Sequence, residues 1–165
     1  MSGPVEVYVA AGSNVDPERH LVDALAALER RFGPLRVSHA YRNVAFGFAG
    51  EDFINLVVGF TTREPLREVV AALRSIEEAC GRPRNAPKWA SRTMDLDVLL
   101  YGAEVHDAPD LKLPRADLLR RAYMLGPLAE IAPGVVHPLT GRTIAEHWNA
   151  FDRDAHPMTR IALTR

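Results

Sequence analysis

Asp95 and Asp97 stand two residues apart in a run, Arg92 to Tyr101, that turns wholly apolar after the second acid. Read as a strand from Met94 onward, the run points Asp95, Asp97, Leu99 and Tyr101 to one face and Met94, Leu96, Val98 and Leu100 to the other. Two carboxylates on one face, roughly 6.5–7 Å apart at their backbones, can reach a shared divalent ion or a pair of them. Asp is a poor strand former, so two in alternate positions need a local reason. Metal binding is one such reason; an exposed strand end whose acids face water is the other. Immediately upstream, Arg82, Arg84, Lys88 and Arg92 put four cations within eleven residues, in a stretch that Pro83 and Pro87 keep irregular. Arginine forks pair bidentately with phosphate oxygens and lysine supplies a compact charge. Mg²⁺ takes oxygen ligands, commonly one or two carboxylates plus substrate phosphates. Base followed at once by paired acid is therefore an arrangement for phosphate chemistry, in which two metals would stabilise the attacking and leaving oxygens.

A second constellation is Phe53 and Asn55, which share one face of an apolar strand from Phe53 to Thr61. Asn is unusual inside a strand, and an amide beside a flat aromatic surface suits a planar heterocycle; an Asn bonded to a neighbouring loop is the plainer alternative. Other chemistries find no support. The chain has no Gly-x-x-x-x-Gly-Lys-Ser/Thr loop, and Gly12-Ser13-Asn14 is no dinucleotide fingerprint. Its six histidines show no His-x-x-x-His spacing, and Cys80 is the single cysteine. No Ser or Cys nucleophile motif stands out.

The elements that must position these residues are legible from periodicity. Val5 to Ala11 reads as a strand entering a turn at Gly12-Ser13-Asn14. A helix follows with Asp16 at the N-cap, Pro17 at its first position, Gly33 just beyond its end, and Leu21, Leu25, Leu28 and Phe32 as its stripe. Leu35 to Tyr41 can be a second strand, and Arg42 to Asp52 a Gly- and aromatic-rich loop in which Phe46 and Phe48 suit a ligand cover. The second long helix spans Pro65 to Gly81 on Leu66, Val69, Val70, Leu73, Ile76 and Cys80. Glu77 and Glu78 in its last turn oppose the helix dipole, so something outside the helix should want one of them. Past Gly102, Glu104 to Leu113 reads as a short strand and loop, Asp117 to Ile131 as helix interrupted at Gly126-Pro127, Thr143 to Trp148 as a last short helix, and the tail from Asn149 as polar and loose. At 165 residues, 47% hydrophobic and 25% charged, this fits one globular domain. Strand, helix, strand, strand, helix, strand is the ferredoxin-like split βαβ order. It predicts an α+β domain with an antiparallel sheet, two helices on one face and added C-terminal elements.

Taken together, these residues resemble a known family, 6-hydroxymethyl-7,8-dihydropterin pyrophosphokinase, an enzyme of folate synthesis. The resemblance rests on Ala11 to Asn14, Phe53-Ile54-Asn55, Ile76-Glu77, Gly81 to Arg84, the Arg-Thr-x-Asp-Leu-Asp run starting at Arg92, Leu113-Pro114, and Arg121 to Pro133. It implies transfer of diphosphate from ATP to the pterin hydroxymethyl group with release of AMP. Asp95 and Asp97 would bind two Mg²⁺ ions, with Arg82 and Arg92 also catalytic. Glu77, Arg82, Arg84, Lys88, Trp89, Arg92, Val98, Arg115 and Arg121 would line the ATP site. Asn55 would bond the pterin edge between Phe53 and Tyr123, with Arg42 and Ala45 bracketing it. Three positions depart from the family pattern: Ala90-Ser91 stands for Gly-Pro, Arg115 for His, and Arg42 to Ala45 for a Thr-x-Pro loop. These departures make a paralogue of altered pterin preference one alternative, and a non-enzymatic pterin- or nucleotide-binding module another. A net charge of −1 gives no general attraction to nucleic acid. No window approaches 18 uninterrupted apolar residues, and Met1 to Pro4 lacks the marks of a signal peptide. The expectation is a cytosolic monomer with small-molecule substrates and no membrane partner.

Overall fold

In the computed structural model the described residues are 3–43, 52–81 and 94–163. Nine residues, Val5–Ser13, form β1, so the strand runs through Gly12 where the composition reads as a turn. Then follow α1 (Pro17–Phe32), β2 (Arg36–Val37), β3 (Ala40–Asn43), β4 (Phe53–Thr62), α2 (Leu66–Ala79) and β5 (Asp95–Tyr101). A hairpin of β6 (His106–Ala108) and β7 (Leu111–Leu113) leads to a 3-10 turn at Ala116–Leu119, then α3 (Ala122–Ile131), α4 (Ile144–Asn149) and β8 (Thr159–Ile161). The main sheet is ordered β5-β1-β4-β3-β8, with β2 on β4, and every pairing is antiparallel. This is the α+β ferredoxin-like arrangement expected. Among the described residues no helix is long and apolar enough to cross a membrane.

Both faces of the sheet are covered. Val7, Val9, Leu56, Val58 and Phe60 pack with Leu21, Leu25, Leu28, Val69 and Leu73 of α1 and α2. Tyr8, Ala10 and Val57 pack on the other face with Met124, Leu125 and Leu128 of α3 and Ile144 of α4. A central strand buried on both sides reads as a continuous apolar run instead of an alternating one, which is what Val7 to Ala11 does. The C-terminal elements are thus a third layer, and the segment expected to be loose supplies β8, paired with β3.

Two sequence expectations are corrected. α3 continues through Gly126-Pro127, because burial of Met124, Leu125 and Leu128 against the sheet outweighs the one backbone donor that proline lacks. Gly126 also lies where a Cβ would press on the Trp148 ring of α4. The strict alternation of β5 holds only as far as Leu99. Val9 partners Val98 while the preceding Tyr8 partners Leu100, a bulge that leaves Leu99 without an opposite residue. Leu99 and Leu100 therefore both enter the α3-side core, and Tyr101 crosses to the α1–α2 side, where its hydroxyl donates to the Glu64 carbonyl at 2.5 Å.

Candidate active site

Asp95 and Asp97 precede the bulge and share the α3-side face of β5. The register across the sheet aligns Asn55 of β4 with Gly12 of β1, and Gly12 with Asp95. Tyr41 of β3 extends the same row beyond Asn55. Gly12 leaves the middle of this row without a side chain, and a Cβ there would overlap Asn55 Oδ1. Asn55 is buried, and its Nδ2 donates to Asn43 Oδ1. That bond fixes which way the amide faces. Phe53 lies two residues away on the same face of β4.

The acidic pair sits between cations. Arg115, at the start of the 3-10 turn, brings Nη1 to 3.6 Å from Asp97 Oδ1. Its backbone N–H donates to Leu99 O at 3.1 Å, which anchors the turn to β5. Among the described residues its buried Nε has no hydrogen-bond acceptor, an uncommon and costly state for a charged donor. Burial pushes the Asp97 carboxyl up to about 6; the Arg115 charge opposes that shift, and Asp95 and Glu77 add to it. Tyr123, half-buried in the first turn of α3, has its hydroxyl pushed up by burial, with Arg121, Asp117, Asp97 and Arg115 within electrostatic reach. Two oxygen-donor side chains, one desolvated and disfavoured as a bare anion, fit a hard divalent cation completed by substrate oxygens. Among the described residues no third His, Cys, Asp or Glu joins them as a ready-made ligand set.

Beside the pair lies a cavity of about 450 Å³, lined in part by Arg74, Asp97, Val98, Lys112 and Arg115. Its size is that of a small-molecule pocket, and its cations suit a polyanion. Glu77, expected near a nucleotide, is buried. Its Oε2 accepts from Leu96 N–H at 2.8 Å, and Arg74 Nη1 donates to its Oε1 at 2.9 Å. That is the outside demand on the last turn of α2 that the misplaced acids implied. Arg121 caps α3 through its backbone, one residue before the helix and two before Tyr123. Arg42 is not brought to the common face: it partners Ile54, so its side chain lies on the α1–α2 side and is exposed. Arg82, Arg84, Lys88, Trp89, Arg92 and Ala45, with Phe46, Phe48 and Ala90-Ser91, lie outside the described residues. Sequence reasoning missed Gly12 as the open floor, Asn43 as partner to Asn55, and Arg74. The first two are pairings across strands, which no local pattern marks; Arg74 carries the right i,i+3 spacing to Glu77.

Residues 8–133 match the family described as 7,8-dihydro-6-hydroxymethylpterin-pyrophosphokinase (HPPK). The 2-amino-4-hydroxy-6-hydroxymethyldihydropteridine pyrophosphokinase of Pseudomonas aeruginosa is 38% identical over 144 residues, 85% of this chain and 88% of that protein. The enzyme of the same name from Aquifex aeolicus is 33% identical over 142 residues, again 85% of this chain and 88% of the relative. Among solved structures, a Plasmodium falciparum HPPK-DHPS triple mutant superposes with a TM-score of 0.71 at 14% identity. That match covers 90% of this chain and 42% of the longer protein, so it speaks to the fold alone.

Proposed function

This chain belongs to the 7,8-dihydro-6-hydroxymethylpterin-pyrophosphokinase family and is a pterin pyrophosphokinase of folate biosynthesis, and from that premise we propose how its residues divide the work. The hydroxymethyl oxygen of 6-hydroxymethyl-7,8-dihydropterin attacks the β-phosphorus of ATP. A new O–P bond forms, the bond from the β-phosphorus to its bridging α-oxygen breaks, AMP leaves, and the hydroxyl proton passes to solvent.

The observation that carries this reading is the row Asn55, Gly12, Asp95. Adjacent strands lie about 4.8 Å apart, so the outer two backbones are roughly 10 Å apart. That is room for a bicyclic ring bonded at its edge by Asn55, with its one-carbon arm reaching over Gly12 toward the acids. Phe53 and Tyr123 supply flat surfaces for the ring, and Asn43 holds the Asn55 amide in one orientation. Asp95 and Asp97 hold two Mg²⁺ ions, which when bound neutralise phosphate charge and polarise the attacking and leaving oxygens. ATP occupies the neighbouring cavity, with Val98 as apolar lining and Arg115 turning its unsatisfied Nε to a phosphate oxygen. Arg121 adds charge at the mouth, and Arg82, Arg84, Lys88, Trp89 and Arg92 complete the phosphate shell by their match to the family motif. The proposed working unit is a cytosolic monomer. Incubation with Mg·ATP and the reduced pterin should release AMP and pterin diphosphate in equal amounts; ADP as the product would refute the assignment.

A further inference from the structure

Among the described residues β5 has a strand neighbour on one side only. In an antiparallel strand the N–H and C=O of one residue point the same way, toward the neighbour or away from it. Leu96, between the two aspartates, turns both outward, and side chains of α2 take the place of the missing strand. Glu77 Oε2 accepts from Leu96 N–H at 2.8 Å, and Arg74 Nη1 donates to Leu96 C=O at 3.3 Å. The same Nη1 donates to Glu77 Oε1 at 2.9 Å, so the two side chains and one peptide residue close a ring. The Leu96 side chain is fully buried on the α1–α2 side. Leu96 is thus gripped through its backbone and packed through its side chain, and the flanking aspartates inherit its orientation.

We propose that Arg74 is a positioning residue for the metal pair: with Glu77 it locks the peptide groups of Leu96 and so sets the aim of Asp95 and Asp97. This rests on those two carboxylates being the metal ligands. Arg74 is half-exposed and borders the cavity, so its charge also acts on the site, since Asp97 and Asp95 both lie within its electrostatic reach. The two effects have opposite signs. Removing a cation beside an acidic pair strengthens metal binding, whereas releasing the grip on Leu96 weakens it.

Arg74→Met and Arg74→Gln separate the two, being equal in charge and similar in length but differing in whether a donor remains. Mn²⁺ affinity is measured by the paramagnetic signal of the free ion, with and without a non-hydrolysable ATP analogue. Exchange of the Leu96 amide is followed alongside it, and circular dichroism checks the fold. Arg74→Met should bind Mn²⁺ about tenfold more weakly than the parent and exchange the Leu96 amide faster, and Arg74→Gln should recover most of both. Equal affinity in the two variants, or tighter binding in Arg74→Met, overturns the proposal. If Asp97→Ala binds Mn²⁺ as well as the parent does, the metal-pair reading fails first, and the proposal with it.

Discussion

At the scale of single residues, the site depends on two side chains and one missing side chain. Asp95→Ala or Asp97→Ala should lower AMP formation by about a thousandfold, several kcal/mol of lost charge stabilisation, with an unchanged circular dichroism spectrum. Burial holds Asp97 at about 6, so the folded chain keeps that proton where the unfolded chain has lost it. Without metal, stability should therefore fall as pH rises from about 4 through 6. Divalent binding runs the other way, weakening as pH falls through that same value, because a protonated carboxyl is a poor ligand; calorimetry with Mg²⁺ and an ATP analogue at pH 5.5 and 7.5 reads this directly. Gly12→Ala puts a methyl group against the Asn55 amide. The amide must swing away, so pterin affinity should drop about tenfold, the worth of one good hydrogen bond, while nucleotide affinity holds. Fluorescence titration with each ligand distinguishes the two. The acids and the buried Asn stood out in the sequence because each is a poor strand former inside a strand, and Phe53 because it shares a face with Asn55. Gly12 has no such mark, and its value comes from the strands on either side.

At the scale of elements, helices were read well because their apolar stripes are local, and strand partners less well because pairing is not. α3 illustrates both. Its span was legible, but its continuity past Pro127 was not, because that continuity depends on packing against a sheet face the sequence does not identify. Its attachment to β3 was equally hidden. Glu130 accepts from the His39 backbone N–H at 3.1 Å, meets the His39 imidazole at 2.7 Å, and also accepts from the Tyr41 hydroxyl. Burial alone would push the Glu130 carboxyl up, yet these bonds hold it below the usual carboxylate range. The latch therefore contributes fully above the unfolded value, about 4.3, and is lost as pH falls through the lower folded one. Glu130→Gln should cost about 1–2 kcal/mol at pH 7, and in urea titrations at each pH the gap from the parent protein should close as pH falls below the usual carboxylate range. Arg160 of β8 stands over the Tyr41 ring with its charge 6.0 Å from the centroid, so the last strand braces the same junction.

At the scale of the molecule, the sheet is a partition between two cores, and the row of proposed site residues runs across its α3-side face. The split βαβ order was legible because alternation and helical periodicity encode it. The third layer was not, since short C-terminal elements carry little periodicity. Leu28 and Leu128 are fully buried on opposite sides of the partition. Either one changed to Ala should cost about 2–5 kcal/mol, and each variant should still melt in one transition, since both cores share the same strands; calorimetry would show it. The bulge at Leu99 has a consequence for this partition. Which side of the sheet the carboxylates occupy is a matter of parity, counted back from the anchored end at Tyr101. Under strict alternation Asp95, Asp97 and Tyr101 would share one face; with Leu99 outside the pairing the acids lie on the α3 side and Tyr101 on the other. Deleting Leu99 would leave Val98 on Val9 and Leu100 on Tyr8 as consecutive pairs, so the acids and Tyr101 would keep their faces and only the bulge would go. The bulge works as a phase shifter: it lets one strand tie Tyr101 to Glu64 on the α1–α2 side while presenting the proposed metal ligands on the other.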